Sequence, residues 1–177
     1  MITVVTGGAR CGKSDYAEAI YKDTSDVCYI ATSIITDDEM KERVRLHRER
    51  RNPSWRTYEG YKNIINAVGD EKNYLLDCVT LLISNIMFEI CGNTEINDEL
   101  AKMTEKRAMN ELTSLIYAIK KEDKNLVIVT NELGSGIVPE NKISRYYRDI
   151  AGRVNRKITE LADKAVLIVM GCEVVLK

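Results

Sequence analysis

The chain has 177 residues, of which 45% are hydrophobic and 30% charged, so it suits one domain, residues 1–177, with one substantial core. A net charge of −1 gives bulk electrostatics no pull toward nucleic acid or a membrane surface, and any anion site has to come from local arrangement. The five cysteines, at 11, 28, 78, 91 and 172, form no C-x-x-C pair, which argues against a disulfide framework or structural zinc and for reduced thiols. The opening Met-Ile-Thr-Val-Val-Thr-Gly-Gly lacks a basic start and cleavage site, and the uncharged stretch Cys78 to Phe88 is too short to span a bilayer. A cytoplasmic protein without membrane insertion is expected.

In chain order, Ile2 to Thr6 is the first β-branched run, followed by a glycine-rich turn and a helical stretch from Ser14 to Tyr21. Val27 to Ala31 reads as a second strand, and Asp37 to Arg51 as a second helix. Asn52 to Gly60 shows no clear period. Tyr74 to Leu76 is a short strand, Leu81 to Ile90 and Asp98 to Glu122 are helical, and Leu126 to Thr130 is a strand. An irregular segment, Leu133 to Asn141, carries Gly134, Gly136 and Pro139. Ile143 to Ala162 is the last helix and Ala165 to Met170 the next strand. Gly171 is placed to turn the chain back into an antiparallel edge, Val174 to Leu176. Strands alternating with helices imply an α/β fold, a mostly parallel twisted sheet covered on both faces. Ligands of such sheets sit beyond the carboxyl ends of the strands, which makes the 133–141 loop a candidate site wall.

Gly7-Gly8-Ala9-Arg10-Cys11-Gly12-Lys13-Ser14 fits G-x-x-x-x-G-K-[ST] without mismatch. The glycines let backbone N–H groups approach phosphate oxygens, and the following helix adds its positive dipole end. Lys13 reaches the β- and γ-phosphates of ATP or GTP, and the Ser14 hydroxyl is a ligand for Mg²⁺. By composition alone, a chain of this length matches in roughly one case in 100 or fewer, and the strand before and helix after lower that further. Asp77, after Tyr74-Leu75-Leu76, is the first candidate for the carboxylate of the magnesium shell, and Glu132 the second. Either residue also suits the plainer role of capping a helix or facing water.

His47 is the only histidine, and on a helix it shares a stripe with Met40 and Val44. Residues 41 to 51 hold six basic and two acidic side chains, with Arg43 and Arg51 one turn either side of His47. A hydrogen-bonded core histidine on a solvated basic helix fits this pattern as well as a catalytic one. RNA would need stacking aromatics, and only Trp55 and Tyr58 are near.

Several further blocks carry a specific likeness: Tyr29-Ile30-Ala31-Thr32-Ser33, Asp37-Asp38-Glu39-Met40, His47 eight residues before Trp55-Arg56-Thr57, Glu59, and Leu76-Asp77-Cys78-Val79-Thr80. Val129-Thr130-Asn131-Glu132, Gly136-Ile137-Val138-Pro139-Glu140-Asn141 and Arg148-Asp149-Ile150-Ala151-Gly152-Arg153-Val154-Asn155 follow in the same order. With the phosphate loop, they make the chain resemble, over nearly its whole length, the bifunctional adenosylcobinamide kinase / adenosylcobinamide-phosphate guanylyltransferase family. The resemblance implies a RecA-like P-loop fold, a homotrimer, and adenosylcobinamide and its phosphate as substrates. It also implies covalent guanylylation of His47, and nucleotide contacts from residues 7–14, Arg51, Glu59 and Asp77. Two departures stand out: Cys11 replaces a common serine without touching the loop's backbone, and Arg51-Asn52 replaces Arg-Pro, with Pro53 shifted by one. A monofunctional small-molecule kinase with a structural histidine is the alternative. A nucleotide switch is disfavoured, because Asn131-Glu132-Leu133-Gly134 is the nearest approach to Asn-Lys-x-Asp.

Overall fold

The computed structural model describes residues 1–34, 38, 41, 42, 45, 49 and 51–177. Seven strands among them form one sheet in the order β3-β2-β4-β5-β1-β6-β7. They are β1 (Ile2–Gly7), β2 (Val27–Ala31), β3 (Arg56–Glu59), β4 (Asn73–Asp77), β5 (Asn125–Val129), β6 (Lys164–Val169) and β7 (Cys172–Val175). All neighbours pair parallel except β6 and β7. The helices whose bounds fall within the described residues are α1 (Lys13–Ala19), α2 (Val79–Cys91), α3 (Asp98–Lys121) and α4 (Lys142–Leu161), with a 3₁₀ turn at Ile64–Ala67.

Both faces of the sheet are buried, which is why its inner strands are apolar runs rather than alternating ones. Ile2, Val4, Ile30, Tyr74, Leu76, Leu126 and Ile128 share one core with α2, α3 and α4. Val5, Tyr29, Leu75, Val127, Val129, Val166 and Ile168 point the other way and join Ala17 and Tyr21. The period of two along each strand produces this division, and α1 covers the second face. The long helices start on asparagines: Asn97 Oδ1 accepts from the Leu100 amide at 2.9 Å and Asn141 Oδ1 from the Ile143 amide at 2.9 Å.

Two local outcomes differ from the sequence reading. The segment read as irregular, 52–60, contains β3, an edge strand with Arg56, Thr57 and Glu59 exposed and Tyr58 half-buried. It pairs with β2 through its backbone and is braced by its side chains, since Arg56 Nη2 donates to Glu71 Oε2 at 2.9 Å and to the Ala67 carbonyl at 2.5 Å. Apolar alternation therefore gives no signal there. The antiparallel edge exists but starts earlier, at Cys172. Met170 (φ 52°) and Gly171 (φ 80°) make a two-residue turn with both φ positive, the kind that matches strand twist in a hairpin. Trp55 is buried, and its indole N–H donates to the Thr24 carbonyl at 2.8 Å, so it offers no stacking platform to a nucleic acid. No helix among the described residues is long and apolar enough to cross a membrane.

Candidate active site

The carboxyl ends of the parallel strands lie side by side, and β1 stands between β5 and β6. The chain leaves β1 at Gly7 and wraps into α1 through residues 8–12. The loop is anchored from both neighbours: the Glu132 amide donates to the Gly7 carbonyl at 3.0 Å, and the Gly171 amide to the Cys11 carbonyl at 3.0 Å. Gly7 has no room for a side chain, since a Cβ there would stand 2.5 Å from the Ile168 carbonyl oxygen and 2.6 Å from Cys11 Sγ. Gly12, the N-cap of α1, has φ 94°, and Arg10 also has positive φ at 56°. Gly8 is unconstrained in this respect, since a Cβ there would meet nothing within 4 Å. Ala9 completes the loop. These constraints explain why the motif fixes some positions and leaves others open.

Lys13 is buried, and its ammonium donates to the Gly8 carbonyl at 2.7 Å across the mouth of the loop. Ser14 Oγ donates to Asp77 Oδ2 at 3.0 Å. The same carboxylate oxygen accepts from the Tyr29 hydroxyl at 2.9 Å. Burial first, and the Asp77 charge next, push the Tyr29 phenol well above its ordinary range, so it remains a donor. The Arg51 guanidinium carbon lies over the Tyr29 ring, 3.2 Å from its centroid, and Arg51 Nη1 donates to Thr57 Oγ1 at 3.0 Å. Arg51 Nε is buried without a hydrogen-bond partner among the described residues. Glu59 ends β3 and stands in register with Ala31, which is in register with Asp77 on its other side. The structure thus brings the loop, Lys13, Ser14, Asp77 and Arg51 together, with Glu59 two strands from Asp77 at the same edge. His47 and Arg43 lie outside the described residues, as do Met40 and Val44 of the same stripe.

Glu132, the second carboxylate candidate, bonds within its own loop. Its carboxylate accepts from the Gly134 amide at 2.7 Å and the Ser135 amide at 3.1 Å, holding the start of the 133–141 loop. Burial works to raise its pKa, but these bonds from Ser135 and Gly134 outweigh it and the pKa is lowered.

The sequence placed the residues behind the site within its resemblance blocks but gave them no role. Thr32 Oγ1 donates to the Cys78 carbonyl at 2.7 Å and accepts from the Cys78 amide at 2.9 Å, fixing the chain just after Asp77. Asn131 Nδ2 donates to Thr80 Oγ1 at 2.6 Å, Asn155 Nδ2 to the Asn131 carbonyl at 3.0 Å, and Thr130 Oγ1 to Asn155 Oδ1 at 2.7 Å. The polar blocks singled out at 77–80, 129–132 and 148–155 therefore meet in one network. Polar residues within otherwise apolar strand ends were the available signal.

The donor set suits magnesium. Two hard oxygens, Ser14 Oγ and Asp77 Oδ2, converge beside the phosphate loop, and Mg²⁺ at nucleotide sites takes one or two protein oxygens with phosphates and water supplying the rest. Among the described residues no cluster of three or more His, Cys, Asp or Glu would hold a metal by itself.

Comparison with known proteins agrees with this geometry. Residues 3–176 match the family described as cobinamide kinase / cobinamide phosphate guanyltransferase (CobU). The bifunctional adenosylcobalamin biosynthesis protein CobU of Escherichia coli K12 is 43% identical over 182 residues, covering all of both chains. The protein of the same description from Salmonella typhimurium LT2 is 40% identical over 181 residues, again covering both chains in full. The bifunctional adenosylcobalamin biosynthesis protein CobP of Pseudomonas aeruginosa PAO1 is 31% identical over all of this chain and 98% of its own length. A KaiC-like protein, PH0186 of Pyrococcus horikoshii, has a similar fold, with a TM-score of 0.50 over 94% of this chain and 69% of that one at 11% identity. A phosphate loop tied to Ser14 and Asp77 on a RecA-like sheet, in a chain matched end to end by these relatives, has one family assignment: the protein belongs to the cobinamide kinase / cobinamide phosphate guanyltransferase enzymes.

Proposed function

We propose that the whole chain, residues 1–177, works as one catalytic domain that phosphorylates adenosylcobinamide and then transfers GMP to the product. The observation that carries this reading is the Ser14–Asp77 bond beside a complete phosphate loop, in a chain whose full-length relatives are bifunctional adenosylcobalamin biosynthesis proteins. Residues 7–14 cradle the triphosphate, and Lys13 moves from the Gly8 carbonyl to the β- and γ-phosphate oxygens. Ser14 and Asp77 hold Mg²⁺, which when bound neutralises charge on the phosphates.

In the kinase step, the terminal hydroxyl of the aminopropanol arm of adenosylcobinamide attacks the γ-phosphate of ATP or GTP and a nucleoside diphosphate leaves. Positioning and charge neutralisation by the loop and Lys13 supply most of the acceleration. In the transferase step, a neutral ring nitrogen of His47 attacks the α-phosphate of GTP; the N–P bond forms as the bond to pyrophosphate breaks. A phosphate oxygen of adenosylcobinamide phosphate then displaces the imidazole, giving adenosylcobinamide-GDP. Imidazole, with an ordinary pKa of about 6.5, is largely neutral at pH 7 and leaves well from a phosphoramidate. Arg51 stabilises the phosphate oxygens during transfer, with Glu59 and Asp77 completing the nucleotide contacts. The enzyme acts as a cytoplasmic homotrimer. His47→Ala tests the division of labour: GMP transfer is abolished and kinase activity spared, whereas comparable loss of both contradicts separate roles.

A further inference from the structure

Among the described residues, Tyr29 is the aromatic side chain bonded directly to the carboxylate at the phosphate loop, and nothing in the motif calls for it. Its ring belongs to the core on the α1 face, where it is 3% exposed. A phenylalanine would fill that space equally, so the hydroxyl needs its own reason. That hydroxyl donates to Asp77 Oδ2 at 2.9 Å, beside the Ser14 hydroxyl at 3.0 Å on the same oxygen. Two donors from different elements, one on β2 and one on α1, fix the rotation of the carboxylate. The ring itself is braced by the Arg51 guanidinium at 3.2 Å from its centroid. A carboxylate held by Ser14 alone would be free to swing when the serine turns a lone pair toward a metal.

We propose that Tyr29 is a positioning residue for the metal site: its hydroxyl holds Asp77 in the orientation the nucleotide-bound cation requires. The inference rests on the metal role given to Ser14 and Asp77 above. It goes further in assigning a function to a buried strand residue outside the phosphate loop.

The test is Mn²⁺ binding, read by electron paramagnetic resonance, to the full-length protein saturated with α,β-methylene GTP, which His47 cannot cleave. Tyr29→Phe is expected to bind Mn²⁺ about ten- to a hundredfold more weakly, the loss of one hydrogen bond to a charged group. Its affinity for the nucleotide in EDTA should equal that of the wild type. In an Asp77→Asn background, the same Tyr29→Phe change should have less than about a twofold effect, because the group it positions is no longer a carboxylate. Wild-type Mn²⁺ affinity in Tyr29→Phe would overturn the proposal, as would an undiminished effect in the Asp77→Asn background. Collapse of the EDTA affinity in Tyr29→Phe would also overturn it, showing the hydroxyl to be a structural bond. If wild-type protein itself shows no Mn²⁺ binding with the nucleotide, the metal reading of Ser14 and Asp77 fails instead.

Discussion

Ser14 and Asp77 stand 63 residues apart in the chain and meet at 3.0 Å, one at the start of α1 and the other at the end of β4. Strand β5 lies between β4 and β1, so the contact depends on the order of the sheet rather than on local sequence. Ser14→Ala and Asp77→Asn should each reduce phosphate transfer by about 100-fold at saturating Mg²⁺, as expected for loss of a group that organises charge in the transition state. Nucleotide affinity in EDTA should change little. Steady-state rates across a Mg²⁺ titration check this, and an equal loss of affinity in EDTA would instead mark the pair as structural.

The two glycines that open the phosphate loop should behave differently. A Cβ on Gly7 meets the Ile168 carbonyl at 2.5 Å, and backbone cannot step aside cheaply, so Gly7→Ala should cost about 2–3 kcal/mol. Thermal melting should fall by roughly 4–12 °C for a domain of this size. Gly8→Ala meets nothing within 4 Å and should melt within about 2 °C of the wild type, on the small effect expected of an uncrowded surface change.

Arg51 places its guanidinium over the Tyr29 ring while donating to Thr57, a pair of contacts that suits a broad guanidinium better than a point-like ammonium. Arg51→Lys keeps the charge but not the breadth, and GMP transfer should fall by about tenfold, the scale of one charge-assisted hydrogen bond. Stability should be nearly unchanged. Single-turnover transfer kinetics and a melting curve on the same preparation separate the two effects.

Much of the fold was legible because its signals are local. The continuous apolar runs of β1, β2, β4, β5 and β6 and the asparagine-capped α3 and α4 follow from propensity and burial, and their observed bounds lie within two residues of the sequence reading. Strand β3 was not legible, since Arg56, Thr57 and Glu59 are exposed and the strand exists by virtue of its pairing with β2 and the Arg56–Glu71 brace. The phosphate loop declared itself through steric demands that only glycine meets. The Tyr29–Asp77 bond did not, because it joins residues 48 apart whose strands are neighbours only once the sheet has formed. The Glu132 contacts are of the opposite, local kind, since its carboxylate accepts from the amides of Gly134 and Ser135 two and three residues ahead.

The Arg56–Glu71 brace predicts a pH dependence. Hydrogen bonding from Arg56 holds the Glu71 carboxyl down at about 2 against an ordinary value of 4.5. A pKa lowered in the folded state adds stability that is present above the unfolded value and lost as pH falls through the folded one. The melting-temperature gap between wild type and Glu71→Gln should therefore be steady above pH 4.5 and close as pH drops toward 2. A gap that does not narrow on acidification would remove the ion pair from the account of β3.

The central claim is that His47 carries GMP from GTP to adenosylcobinamide phosphate. It is tested most directly by incubating the protein with Mg²⁺ and GTP labelled at either the α- or the γ-phosphate, then denaturing it. The account predicts acid-labile label retained from the α-phosphate only, and none in His47→Ala. Absence of retained label from either position, with nucleotide binding intact, would contradict it and leave a P-loop kinase with a structural histidine.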